Sequence, residues 1–137
     1  MQNSADGLLY RPMKAARKAE IRWLREPQNH DYPAALSYLE LIHAPPQAKR
    51  LVRKLRRAGV SQFKAKDIFR ASGLPLLGLD NSHVKKDERK LAAGIATSPL
   101  LLVRDPEHGK LVIADGYHRL CAVYAHDEDA VIPCKIT

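Results

Sequence analysis

The strongest constraint on the fold of this chain is a continuous pattern of strand, turn, strand and helix near its C-terminal end. The apolar run PLLLVRD (99–105) predicts a β-strand, PEHG (106–109) predicts a hairpin turn, and KLVIA (110–114) predicts the partner strand. The apolar spacing of YHRLCAVYAH (117–126) then predicts an α-helix. This order favours an α+β fold built around a small sheet.

Two further strands and a helix complete the predicted sheet. SQFKAKDI (61–68) is typical of a short strand that leads into a helical turn. VIPCKI (131–136) predicts a last strand, and Pro133 argues that this strand lies at an edge or carries a bulge. SHVKKDERKLAAGIA (82–96) predicts a helix with Ser82 as its N-cap. The sequence therefore predicts a small mixed β-sheet with flanking helices.

The first 60 residues differ from the rest of the chain in charge and in pattern. Residues 1–60 hold 12 Lys and Arg against five Asp and Glu, a net charge of +7, whereas residues 61–137 hold 11 against 10. This asymmetry indicates either an anionic partner such as nucleic acid, bound through residues 47–57, or a solvated basic helix face. A basic helical extension is thus expected in front of the sheet-containing domain. Its predicted helices cover residues 12–26, 34–43 and 47–59.

Composition argues against two classes of protein. No apolar run approaches the ~20 residues that span a membrane, and the first residues lack the apolar middle of a secretory signal. Only two cysteines, Cys121 and Cys134, are present, so no disulfide framework is expected. We therefore expect a cytoplasmic protein with no membrane partner. The oligomeric state, including a homodimer, stays open.

Several polar residues stand at the junction of the second hairpin strand and the following helix. Only Asp115 and Gly116 separate the two elements, and a glycine there permits a positive φ and close approach of a ligand. The first N–H groups of the helix are unpaired, and His118 and Arg119 add donors in the same turn. These groups favour a site for an anion such as phosphate. The alternative is a capped helix with two solvated polar side chains.

Asp115 is open to several interpretations at this corner. It is the N-cap of the helix, or it orders Arg119, coordinates a metal ion, or accepts a proton. The acidic stretch HDED (126–129) is either a solvated loop or a further candidate for Mg²⁺. The six histidines show no zinc-ligand spacing and predict no zinc site.

The stretch LLLVRDPEHGKLVIADGYHRLCAVY, together with the final VIPCKI, resembles the ParB/sulfiredoxin superfamily. Upstream, KAKDIFRASGLPLL and DERKLAAGIATSP are similar to the first strand of that family and to the helix before its hairpin, so the resemblance covers residues 61–137. It implies the family's fold, in which a glycine-containing loop at the start of a helix holds nucleotide phosphates. The first 60 residues have no counterpart there.

The loop differs between branches of this superfamily. Sulfiredoxins carry Gly-Gly-Cys-His-Arg, which Gly116, His118 and Arg119 match, but Tyr117 stands at the place of the reactive cysteine. The resemblance therefore does not imply a sulfinic acid reductase. ParB partition proteins carry Gly-Glu-Arg-Arg, and here Tyr117 replaces the acid linked to metal binding and nucleotide hydrolysis. The variant Asp-Gly-x-His-Arg is the most similar, and its members are varied, some of them phosphorylating free serine.

The resemblance implies a bound nucleotide, ATP or CTP with Mg²⁺, or another phosphorylated small molecule. If the chain is an enzyme, phosphoryl transfer or nucleotide hydrolysis is the expected reaction class; the alternative is a non-catalytic module that binds nucleic acid or protein through the basic N-terminal helices. Asp115 is the candidate acidic residue, as a metal ligand or a base. Asp67, at the end of the first predicted strand, is either a second catalytic candidate or the N-cap of the helical turn that follows, and the lysines near it in the prediction are either ligands or part of an exposed helix face. Lys86, or its neighbour Lys85, is similar to a phosphate-contacting lysine of sulfiredoxins. The residues expected to bind the nucleotide are Gly116, Tyr117, His118, Arg119, Lys66 and Lys86.

Overall fold

The computed structural model describes residues 20–137 and has the α+β architecture that the sequence predicts. The predicted helix over residues 12–26 lies mostly outside this range, and its described end is not helical, because Trp23 forms a parallel bridge with Thr97 instead. The helices are α1 (Asp31–Leu39), α2 (Pro45–Arg57), α3 (Ala65–Ser72), α4 (Ser82–Ala92) and α5 (Tyr117–His126). The strands are β1 (Ser61–Lys64), β2 (Leu100–Asp105), β3 (Lys110–Asp115) and β4 (Val131–Ile136).

The four strands form one small mixed sheet in the order β1-β4-β2-β3, which confirms the predicted sheet. β4 pairs antiparallel with β1 and parallel with β2, and β2 pairs antiparallel with β3. The turn predicted at residues 106–109 therefore joins a true hairpin. α5 follows this hairpin directly and leads through a short loop into β4.

The prediction that Pro133 marks an edge strand or a bulge is wrong, because β4 is paired on both sides. In the parallel ladder, Thr137 N donates to Leu102 O. The hydrogen bonds of a parallel ladder repeat every two residues along each strand. Four residues before this bond on both strands, the nitrogen of Pro133 therefore faces the Ser98 carbonyl, just before β2 begins. The missing N–H thus leaves one carbonyl at the end of the ladder without a strand donor and interrupts nothing further along.

Helices cover both faces of the sheet. Along β2, Leu100 and Leu102 pack in the core with α3, α4 and α5, whereas Leu101 and Val103 pack with α1 and α2. Successive residues of a strand point to opposite faces, so this apolar run is buried throughout because each face has its own helical layer. Within residues 20–137, no helix combines the length and apolarity needed to cross a bilayer.

Several helix boundaries differ from the predicted ones for local reasons. α2 begins at Pro45 rather than two residues later, because prolines in a first turn lose no hydrogen bond there. It ends at Arg57, with extended backbone at the next residue, two residues before the predicted end at residue 59. α4 is capped by Asn81 and not by Ser82, since the asparagine side chain accepts the first free N–H groups.

One charged residue of β4 lies in the core beneath the first helices. Lys135 is 4% exposed, and its Nζ donates to Arg56 O over 2.9 Å and lies 3.0 Å from Glu26 Oε1. The same ammonium lies 5.9 Å from the centre of the Tyr32 ring. A buried ammonium requires such partners, because an unpaired charge in the core is costly. The pairing ties the C-terminal end of α2 and the segment before α1 to the sheet.

Candidate functional site

α5 begins at a glycine that the surrounding structure requires. Gly116 has a φ of 108°, in the left-handed region, and a Cβ added there would lie 2.3 Å from Leu100 Cδ2. Immediately before it, the pairing of β3 with β2 skips one residue, so β3 bulges next to Asp115. The bulge and the glycine together turn the chain from the sheet edge into the helix and set the position of the Asp115 carboxylate.

Arg119 holds this corner together. Its Nε donates to Ser98 O over 3.1 Å, and its Nη2 donates to Pro99 O over 3.2 Å and to Asp115 Oδ2 over 3.1 Å. The Ser98 carbonyl is the one that Pro133 leaves without a strand donor. The side chains of Arg119 and Asp115 are each only 17% exposed. Two of the guanidinium nitrogens therefore serve the protein itself, and they link the end of β3, the entry to β2 and α5.

A second carboxylate, which was not predicted from the sequence, lies close enough to Asp115 for its charge to act there. Asp31 is 3% exposed, its Oδ2 accepts from Gln28 N over 2.8 Å, and its Oδ1 lies 3.3 Å from His30 Nε2. Burial raises the pKa of Asp115, the adjacent Arg119 opposes this rise, and the charge of Asp31 adds to it. The only sign of this buried carboxylate in the sequence was the adjacent pair His30 and Asp31, which lies within a stretch rich in turn-forming residues.

Two histidines from different helices meet on the other side of the corner. His118 is the second residue of α5 and His83 is the second residue of α4, and their ring centroids lie 4.8 Å apart with a 38° angle between the planes. Burial lowers the pKa of His118, His83 lowers it further, and Asp87 acts in the opposite direction. Burial therefore favours the neutral form of the His118 imidazole.

Three helix starts meet around the C-terminal end of β3. α1 starts at Asp31, whose charge acts on Asp115, and α4 and α5 each carry one of the two neighbouring histidines as their second residue. Asn81 caps α4, whereas no side chain within residues 20–137 caps α5. Helix starts carry partial positive charge, and the first N–H groups of an uncapped helix are free to donate. The start of α5 is thus suited to an anion, whereas the carboxylates of Asp31 and Asp115 bring negative charge to the same corner.

Lys66 and Asp67 do not join this corner. Lys66 N donates to Glu128 O, and its Nζ lies 2.8 Å from Asp129 Oδ1. These acidic residues follow the C-terminal end of α5, which at ten residues is about 15 Å long. Asp67 Oδ1 lies 3.4 Å from Arg70 Nη2 on the surface of α3. Both predicted residues lie at the far end of α5 because β1 turns directly into α3 there.

The remaining predicted ligands flank the corner. The Tyr117 hydroxyl donates to Pro75 O, and its ring centroid lies 5.6 Å from that of His118. Burial raises the pKa of Tyr117, and the neighbouring Cys121 adds to the rise. Lys86 is exposed on α4, three residues after His83. Tyr117 thus anchors the loop before α4, while Lys86 stays in solvent close to the histidine pair.

Three cavities lie away from the corner. One of about 760 Å³ lies beside the segment before α1, one of about 430 Å³ lies between α3 and the hairpin, and one of about 770 Å³ lies between α3 and α5. Asp67 lines the second and the third. No residue of 115–119 lines any of the three, so a ligand at the corner would be held outside them.

The arrangement at Asp115 does not fit the Mg²⁺ that the resemblance implies. Its carboxylate already has a cationic partner in Arg119, and a Mg²⁺ ion needs several oxygen ligands with near-octahedral geometry. Within residues 20–137, one group of three acidic or histidine side chains brings its ligand atoms within 4.8 Å of one another. It lies in the β2–β3 turn and consists of Asp105, Glu107 and His108.

α2 presents a strongly basic surface. Its apolar stripe is buried against the sheet, and the helix contains no acidic residue. No ion pair within the described part of the chain joins its cations to an acid. Arg56 also stacks over the Tyr32 ring, with its Cζ 4.2 Å from the centroid. The exposed cations are Lys49, Arg50, Arg53, Lys54, Arg56 and Arg57.

Comparisons of the chain with protein-family models, with curated proteins and with solved structures found no match. The similarity to the ParB/sulfiredoxin loop therefore stays a prediction from its motif residues. The function must be inferred from the corner and from the basic helix.

Proposed function

We propose that this chain binds the phosphate of a nucleotide, or of another phosphorylated small molecule, at the corner formed by residues 115–119. The observation that carries the proposal is the meeting of three helix starts around the end of β3, with α5 uncapped. A phosphate placed there is favoured by the helix dipoles and by free N–H donors. The similarity of the DGYHR loop to phosphate-binding loops of the ParB/sulfiredoxin type also supports it.

Some residues of the corner would bind the phosphate directly, and others would hold the corner in position. The backbone N–H groups of Tyr117 and His118, and the His118 ring, would donate to phosphate oxygens. Arg119 is a positioning residue, because its Nε and Nη2 already donate to protein oxygens. Gly116 provides the left-handed backbone, with φ of 108°, that turns the chain into α5 and directs its first N–H groups to the ligand.

The reaction class that fits such a site is phosphoryl transfer or nucleotide hydrolysis, in which positioning and charge stabilisation dominate catalysis. Burial raises the pKa of Asp115, and this makes its carboxyl group more able to hold and release a proton near the phosphate. Asp115 is accordingly the proposed acid or base, assisted by the charge of Asp31.

Isothermal titration calorimetry with ATP, CTP, ADP and inorganic phosphate, each with and without Mg²⁺, tests the proposal. We expect the unaltered chain to bind at least one of them. His118→Ala should weaken that binding by about tenfold, because a donor to a charged ligand is lost. His108→Ala is the matched control, since this exposed histidine lies in the hairpin turn, and it should leave binding unchanged.

Two outcomes would refute the proposal. One is the absence of binding at millimolar ligand concentration by a chain whose circular dichroism shows it folded. The other is equal affinity of the unaltered chain and His118→Ala, which would place the ligand elsewhere. Phosphate release, measured with any nucleotide that binds, then separates an enzyme from a binding protein.

We infer a second candidate function, binding of a nucleic acid backbone by α2. The observation that favours it is the set of six exposed cations on one helix without acidic neighbours in that helix. The helix exposes no aromatic ring on which bases could stack, so contacts to phosphates are expected with little reading of sequence. The basic helix packs on the sheet face opposite α5, so both functions can coexist.

Filter binding of short DNA and RNA duplexes at increasing salt tests this second function. The logarithm of affinity should fall linearly with the logarithm of salt concentration, with a slope of about −0.9 for each phosphate contacted in DNA. Replacing Arg50 and Arg53 by Gln should make the slope shallower by about two such contacts. A slope that is flat, or that these replacements leave unchanged, would refute it, and Lys110→Gln on the distant hairpin is the control.

A further inference from the structure

We propose that His83 and His118 together bind one divalent transition-metal ion, such as Zn²⁺, Co²⁺ or Ni²⁺. This site goes beyond the proposed phosphate function and does not depend on it. The six histidines show no metal-ligand spacing in the sequence, because these two are 35 positions apart and are brought together only by the packing of α4 on α5.

The separation of the two rings is what a shared metal ion requires. Two imidazoles that bind one tetrahedral Zn²⁺ with Zn–N distances of ~2.0–2.1 Å have ring centres about 5 Å apart. The observed centroids are 4.8 Å apart, and the 38° angle between the planes is not that of parallel stacked rings. His83 is exposed, so its side chain can rotate toward an ion shared with His118.

The surroundings supply a negative charge near the two rings. Asp87 lies four residues after His83, so both lie on the same side of α4, and its charge acts on His118. Its carboxylate does not form a group of ligand atoms within 4.8 Å with the two imidazoles, since the one such group within residues 20–137 lies in the hairpin turn. The two histidines are therefore the protein ligands, and the remaining positions on the ion stay open to solvent.

The positive ends of α4 and α5 act against a cation, and two features limit that effect. Asn81 Oδ1 accepts from the N–H groups of His83 and Val84, so the start of α4 is already capped. Asp87 brings a negative charge to the same side of the helix. The histidine pair also lies at the surface, where His83 is exposed and open to an ion from solvent.

Titration of the whole chain with Co²⁺ in a phosphate-free buffer, followed by visible absorption and by calorimetry with Zn²⁺ in competition, tests the site. We expect one ion per chain. His83→Ala and His118→Ala should each weaken binding by at least about tenfold, as loss of a ligand does, and Asp87→Asn should weaken it less. His108→Ala removes the histidine of the separate cluster in the hairpin turn and should bind as the unaltered chain does.

Absence of metal binding would overturn this proposal, as would binding that survives His83→Ala. Loss of binding in His108→Ala would place the ion in the hairpin turn instead and would also overturn it. In NMR spectra of the unaltered chain, the ring proton resonances of His83 and His118 should shift when Zn²⁺ is added. This measurement tests the site even if one of the variants does not fold. His83→Ala should lose metal and keep phosphate binding, so failure of one proposal can be told from failure of the other.

Discussion

The starts of α4 and α5 lie side by side, yet they are built in opposite ways. At α4, the side chain of Asn81 accepts from two N–H groups over 3.0 and 3.2 Å, so the helix start is completed by its own sequence. At α5, Gly116 has no side chain, and the corner is fixed from a distance by the bonds of Arg119 to Ser98 and Pro99. A helix start can remain open to a ligand when contacts elsewhere in the fold hold it in place.

The difference between the two helix starts predicts that Gly116→Ala, at the start of α5, has the largest effect on stability. The added methyl group would lie 2.3 Å from Leu100 Cδ2 on a backbone with φ of 108°. Overpacking and a left-handed conformation should together lower the free energy of unfolding by about 3 kcal/mol. Urea denaturation followed by circular dichroism measures this change.

Gly109→Ala is the matched control for that substitution. Gly109 also has a positive φ, of 64°, but nothing lies within 4 Å of an added Cβ. Only the conformational cost remains, and it should be about 1 kcal/mol. Equal losses in the two variants would show that the packing of Leu100 against the corner contributes nothing.

A smaller effect on stability is expected at the start of α4, which is capped by the side chain of Asn81. Asn81→Ala should lower the free energy of unfolding by about 1 kcal/mol, because two N–H groups of α4 lose their acceptor. Asn81→Ser keeps an acceptor and should restore most of the loss. Phosphate affinity should not weaken in either variant, because neither change removes a donor at the start of α5, and a weakened affinity in Asn81→Ala would mean that the Asn81 side chain itself contacts the ligand.

The smallest effect is a pH dependence that Asp115 imposes on stability. Burial raises its pKa above the ordinary 3.8, so the folded chain keeps the proton to higher pH than the unfolded chain does. The contribution of Asp115 to the free energy of unfolding should therefore fall as pH rises from 3.8 through the folded pKa.

Denaturation of the unaltered chain and of Asp115→Asn between about pH 4 and about pH 7 measures this dependence. The stability of the unaltered chain relative to the variant should decline across that range. A relative stability that rises with pH would show that the ion pair with Arg119 outweighs burial, and would reverse the inferred direction of the Asp115 pKa.

The strands and helices were predictable where short-range pattern decides them. The hairpin over 99–114 and the helix over 117–126 follow from apolar periodicity and a glycine-containing turn, and the structure has both. The central position of β4 was not predictable from Pro133. The free-energy cost of placing a proline in a central strand depends on which carbonyl is left without a donor, and the sequence pattern does not show this. That carbonyl belongs to Ser98, and a side chain remote in sequence serves it instead.

The corner itself was only partly predictable. Gly116, His118 and Arg119 were found because they follow one another in the chain. Asp31 and His83 were not found, because they reach the corner from other helices and carry no local signal of doing so. Conversely, Lys66 was expected near the corner because it follows the first predicted strand, but its position after β1 places it at the opposite end of α5.

The buried Lys135 has a consequence for how the chain responds to being cut. Its ammonium on β4 is held by Glu26 and by the Arg56 carbonyl, both of which precede the sheet in sequence. A protease that cleaves after Arg57 would break the peptide without removing these contacts or the shared apolar cluster of α1, α2 and the sheet. The two pieces should then elute together on gel filtration and separate only in denaturant.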